Sequence, residues 1–154
     1  MVSQSEKHSA AYNAIQKLKH GIFSELDVAF LAKVVSYDRK KHTADILPLA
    51  NLSDGQKSAQ YLDVPVSQNC YLIDELLEKF KPEFSKTDSN SGIKDHTKTN
   101  FIEKYPPKKF FRPGVIVVAV ALDRDTDNFD GENTFDPSGV RMHDGNDSIV
   151  IGVV

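Results

Sequence analysis

The chain has 154 residues with 19 basic and 22 acidic side chains, a formal net charge of −3 and a pI near 5.9, which is the size of one domain with one core and gives no electrostatic footprint for duplex nucleic acid. Cys70 is the single cysteine, which excludes an intrachain disulfide framework and a Cys-rich zinc site and fits folding in a reducing cytosol; its apolar setting makes it a buried core thiol. No apolar run reaches the length of a membrane span and the N-terminus lacks a basic-then-apolar leader, so no stable membrane anchoring is expected.

In chain order, residues 3 to 22 carry Ala11, Ala14, Ile15, Leu18 and Ile22 as one apolar stripe, which predicts an amphipathic helix. Ser3 or Ser5 can cap its start and Gly21 lies near its end. With a linker to residue 26 this helix forms the first unit of the chain, and residues 27–154 form the second. The stripe can pack on its own domain or on a neighbouring subunit; the own-domain reading is preferred, because amphipathic helices usually cover the core they belong to.

From Val28 the period changes. Ala29 to Tyr37 reads as a strand, Asp38 to His42 as a charged hairpin turn, and Thr43 to Leu49 as a second strand with Pro48 at an end or edge. Ser53-Asp54-Gly55 signals a turn, and Ala59 to Val66 a third strand that completes a β-meander. Leu72 to Phe80 has the spacing of a short helix ending before Pro82, and residues 81–109 are polar enough to read as a loop of about 30 residues. Val115 to Leu122 follows Gly114 and is apolar at nearly every position, which predicts a strand buried on both faces. An acidic connector and the turn Arg141 to Asp147 then lead into a last strand, Ser148 to Val154. Three strands, a helical connection with a long insertion and a closing pair give a mainly β chain. Its element order is that of a five-stranded OB-fold barrel, with a sandwich and an open α+β sheet as alternatives of the same order.

Candidate chemistry is sparse. His143, Asp144 and Asp147 have metal-ligand types at close spacing, but Asp, Gly and Asn in a short run are what a tight turn requires. Asp123, Asp125, Asp127 and Asp130 resemble a calcium loop only superficially, since Asn128 stands where an EF-hand has its sixth-position Gly and no Glu stands at the twelfth. No phosphate cradle, nucleophile elbow or paired-histidine motif occurs, so no catalytic, cofactor or metal site is expected. For single-stranded nucleic acid, Phe30, Tyr37 and Tyr61 could stack bases beside Lys33, Arg39, Lys40 and Lys41, although Trp is absent and the connector is acidic.

Five stretches carry a resemblance: Ala32 to Asp38 running into Thr43 to Leu49, Leu62-Asp63-Val64-Pro65-Val66, Pro113 to Val118, Asp123-Arg124-Asp125, and Arg141-x-His143-x-x-x-Asp147 into Ser148-Ile149. In this order, across residues 28–154, they resemble the N-terminal OB domain of bacteriophage membrane-puncturing tail-spike proteins. The resemblance implies a virion protein of the tail baseplate, made in the host cytoplasm. It implies a homotrimer that plugs the tail tube and joins hub to a spike tip, with no catalysis and no nucleic-acid partner. It makes Arg141, His143 and Asp147 a structural turn motif. The chain departs from the family in having no His-x-His, no β-helical repeat, Val115 rather than an acidic residue after Gly114, and the 81–109 insertion. Puncturing by this chain itself is therefore not expected. The N-terminal helix is expected to reach the tube or hub and the insertion to make lateral or tip contacts, since an OB barrel needs neither.

Overall fold

A computed structural model describes residues 4–26, 28–51, 55–89 and 99–154. Helix α1 (Gln4–Glu25) is followed by strands β1 (Ala29–Asp38), β2 (Thr43–Pro48) and β3 (Tyr61–Pro65), then helix α2 (Leu72–Ser89), then β4 (Ile116–Ala121) and β5 (Ser148–Val153). The strands form one antiparallel sheet in the order β3-β2-β1-β4-β5. The sheet curls until its two edges approach: Val66 and Val150 form an isolated parallel bridge, and Ser67 N–H donates to the Val150 carbonyl at 2.8 Å. The core is thus a five-stranded, barrel-like β-sheet with two helices attached.

Local sequence explains each strand. Val34, Val117, Ala119 and Val150 alternate onto the inner face with Ala32, Ala44, Ile46 and Val64, as a sheet with one packed face requires. A bulge between Val34 and Ser36 resets the alternation and turns Tyr37 inward, where its ring meets Phe111 edge-on at 4.7 Å. Asp38 Oδ1 accepts the Lys40 and Lys41 N–H groups across the hairpin turn, and His42 closes it at φ 54°. Pro48 ends β2, where its missing N–H costs the ladder nothing. Cys70 is buried in a short 3-10 turn, Gln68–Cys70, and burial pushes its thiol up. Only Gly55 of the expected 53–55 turn lies within the described residues, and Ser3 lies outside them.

Four expectations need correction. The α1 stripe does not pack on its own domain: Tyr12, Ile15, Leu18, Ile22 and Phe23 are each more than half exposed, and among the described residues the core cluster includes none from α1. The helix also runs through Gly21 to Glu25. The inner face of the sheet is already filled by strand residues and Phe111, and a periodic stripe cannot specify which body covers it. Strand β4 is not buried on both faces, because Ile116, Val118 and Val120 on its outer side are only half-buried. Finally, α2 does not stop before Pro82 but continues to Ser89, so the 81–109 stretch begins as helix. Phe84, beyond the proline, packs between Phe80 and Phe101 at 6.2 and 5.5 Å, which offsets the hydrogen bond that Pro82 cannot make. Asp88 accepts from Phe101 N–H, Ile102 N–H and the Thr99 hydroxyl, with the Ile102 bond first among the causes that lower its carboxyl pKa.

The insertion returns to the core through Asp74. This carboxylate is 5% exposed and accepts the N–H groups of Phe110 and Phe111, each at 2.8 Å, setting the Phe111 ring at the centre of the core. Asp74→Ala leaves both donors without their partner; each such loss costs about 1–3 kcal/mol. A urea denaturation series should place the variant about 2–5 kcal/mol below the parent chain.

Candidate functional site

The most polar buried place in the fold joins the connector after β4 to the turn before β5. The turn is built locally: the Asp144 side chain accepts from Asn146 N–H at 2.8 Å, Asp147 N–H donates to the Asp144 carbonyl at 3.0 Å, and Ser148 Oγ donates to the Gly145 carbonyl at 2.7 Å. His143 adopts φ 51°, which leaves its Nε2 3.3 Å from Asp123 Oδ1. Gly145 is required by closeness: a Cβ there would stand 2.1 Å from the Tyr61 hydroxyl of β3. The turn is in this way pressed against the edge strand at the far side of the sheet.

Arg141 holds the turn to the connector. Its Nη2 lies 2.9 Å from Asp127, 3.3 Å from Asp147 and 3.5 Å from Asp125. Asp125 and Asp147 are 1% and 3% exposed. Asp147 Oδ1 also accepts from Thr126 N–H, and its carbonyl accepts from Leu122 N–H at 2.8 Å, so one residue ties turn, connector and the end of β4 together. One oxygen each from Asp125, Asp127 and Asp147 lies within 4.8 Å of the others, close enough to share a cation, and the cation they share is the guanidinium. The Asp127 hydrogen bond and the three carboxylate fields raise the Arg141 pKa against the opposing effect of burial. Among the described residues, Arg141 Nε and Asp147 Oδ2 are buried without a hydrogen-bond partner. The clasp is therefore centred on Nη2 and is incompletely hydrogen-bonded, a local cost that the surrounding pairing has to outweigh.

A second titratable cluster lies where α2 meets the β1–β2 hairpin. The His42 ring stacks on Tyr71 at 4.1 Å, its Nδ1 is 3.2 Å from the Tyr37 hydroxyl, and its Nε2 is 3.9 Å from Glu75. Burial, with the Tyr71 and Glu75 charges adding to it, pushes the Tyr37 hydroxyl up to about 12. A phenol that keeps its proton this firmly is a hydrogen-bonding strut, and with Arg39–Glu78 at 3.3 Å the cluster fastens α2 to the hairpin.

Of the residues singled out in the sequence, Arg141 and Asp147 come together, and His143 sits one pair away on Asp123. Phe30, Tyr37 and Tyr61 do not form an outward stacking platform. All three pack against the core, and Phe30 and Tyr61 meet edge-on at 5.7 Å. The sequence alone does not reveal the roles of Asp125 and Asp127, because a solvated acidic loop and a partly buried ion cluster read alike, although a lone Arg after an Asp-x-Asp pair is the signal that could find them. Among the described residues no helix is long and apolar enough to cross a membrane. No protein-family model matches the chain, and no curated protein matches it.

One outcome tests the clasp and a second the hydrogen-bonded carboxyls of the connector. Arg141→Ala should lower the urea midpoint clearly more than Arg124→Ala, since the Arg124–Asp123 pair is exposed on both sides and such pairs contribute little. The pH response follows from the depressed carboxyls. Asp127 N–H, the Ser138 hydroxyl and the Arg141 charge hold Asp125 below its usual range. The Asn133 side chain and the N–H groups of Asn133 and Glu132 draw Asp130 to about 2. As pH falls, the unfolded chain takes up these protons first, so stability is present above the unfolded value near 4 and is lost toward pH 2. Thermal unfolding midpoints should be level above about pH 5 and fall between about pH 4 and pH 2.

Proposed function

We propose that this chain is a structural protein of a phage or phage-like tail baseplate, an OB-fold hub or spike component that caps the tail tube and links it to the cell-puncturing tip. The observation that carries the reading is the convergence of two motifs that lie apart in the sequence. Asp123-Arg124-Asp125 and Arg141-x-His143-x-x-x-Asp147 both resemble those of the spike family, and they meet through the Arg141–Asp125 and His143–Asp123 pairs. The OB-fold assignment is supported by the strand order, by α2 between the third and fourth strands, and by the parallel approach of β3 to β5.

In this reading the chain is a homotrimer of the virion, made in the host cytoplasm, with no catalytic step, cofactor, nucleic-acid partner or membrane anchor of its own. A three-fold baseplate part acts by presenting one surface three times, so its work is done by interfaces. The inward packing of Phe30, Tyr37 and Tyr61 leaves the alternative, a single-stranded nucleic-acid-binding OB-fold protein, without its stacking residues.

Light scattering behind a sizing column, with and without a single-stranded oligonucleotide, tests the assignment. The expected result is a mass of three chains and no co-elution of the oligonucleotide. A monomer that carries the oligonucleotide would overturn it.

A further inference from the structure

The segment that returns from α2 to the core encloses a cavity of about 360 Å³ against that helix. This volume lies within the range of roughly 300–1,000 Å³ that small-ligand sites have. The wall made by the returning segment is held to α2 at both ends. Asp88, in the last turn of the helix, accepts Phe101 N–H at 2.9 Å and Ile102 N–H at 2.8 Å. Asp74, in the first turn, accepts Phe110 N–H and Phe111 N–H. Between these two clamps Pro106 and Pro107 line the cavity, and each has its φ locked by its ring. A wall anchored in this way is set before anything binds, which lowers the ordering cost of binding.

The polar groups that line the cavity decide what it can take. Its side-chain carboxylates are already engaged. Both oxygens of Asp74 receive backbone N–H groups, and Glu78 places Oε1 2.5 Å from Lys109 and Oε2 3.3 Å from Arg39. Its ammonium donors are not engaged. Lys81 Nζ stands 4.9 Å from the centroid of the Tyr105 ring, a contact that uses its charge and none of its N–H groups. Lys108 lines the same cavity with no ion-pair or hydrogen-bond partner among the described residues. Leu77, Ile102, Tyr105 and the two prolines make the rest of the lining apolar.

We infer that this cavity binds a small ligand with an apolar body and one anionic group, the body lying against Leu77, Ile102 and the prolines and the anion taken by the Lys81 and Lys108 ammonium groups. An ammonium is a point charge without a planar fork, so carboxylate, sulfonate and phosphate all satisfy it. The inference does not depend on the baseplate reading, because it assigns a small molecule to the inner side of the insertion and no contact to tube or hub.

Naphthoate, its uncharged analogue naphthamide, and inorganic phosphate, each titrated into the isotope-labelled full chain and followed by amide NMR shifts, test it. Naphthoate should shift the amides of Leu77, Lys81, Ile102 and Tyr105 and bind about tenfold or more tightly than naphthamide. Phosphate alone, lacking the apolar body, should not saturate these shifts. The double variant Lys81→Met/Lys108→Met changes two exposed side chains and keeps their apolar stems. It should weaken naphthoate about tenfold, with naphthamide binding and far-UV circular dichroism unchanged. Equal affinity for naphthoate and naphthamide would overturn the inference, as would shifts confined to the α1 stripe, saturable phosphate binding at the same amides, or a double variant that binds naphthoate as the parent chain does.

Discussion

A curled sheet has to do something with the unpaired backbone groups of its first and last strands, and in this protein that constraint shapes everything outside the strands. Strands β3 and β5 meet through a single parallel bridge, Val66 to Val150, which is too little pairing to seal an edge. The segment after β3 completes the seam: Ser67 N–H donates to the Val150 carbonyl, and the Asn69 side chain donates to the Ile151 carbonyl at 2.9 Å. Cys70 then fills the space beneath, and α2 starts two residues later. The other end of the gap is closed by the 145–147 turn, which sits against Tyr61.

Two buried carboxylates hold these closing pieces, and they do it differently. Asp74 faces backbone N–H donors, and both of its oxygens are used. Hydrogen bonds to a charged group are among the strongest that a side chain makes. Asp147 faces an arginine that it shares with Asp125 and Asp127, and one of its oxygens has no partner among the described residues. The first arrangement is fully satisfied and places an aromatic ring in the core. The second is an electrostatic clasp, sensitive to the loss of the guanidinium at its centre.

The polar residues of the connector and of the turn before β5 are among those that close the fold. In space, Arg141, Asp147, His143 and Asp123 are a clasp between a connector and a turn. The surfaces that would define a role in an assembly lie elsewhere, on α1, on the outer sheet face and on the insertion that folds back through Asp88.

The sequence by itself determined the five strands, the hairpin at Asp38 to His42, the two helices and the buried thiol. These are local matters, set by period, by turn chemistry and by apolar neighbours within a few residues. It could not determine that α2 passes through Pro82, because the rings that hold it there come from Phe80 and Phe101 on either side of the break. Nor could it show that the outer side of β4 is half open: a run of Val and Ile states that a strand is apolar and not what covers each face. Arg141 and its carboxylates are separated by 14 residues at Asp127 and 6 at Asp147, so their meeting depends on how the connector folds back. Tertiary structure decided those pairings and left α1 uncovered, because amphipathicity records that a face must be buried while only the three-dimensional arrangement shows whether its own domain has a place for it.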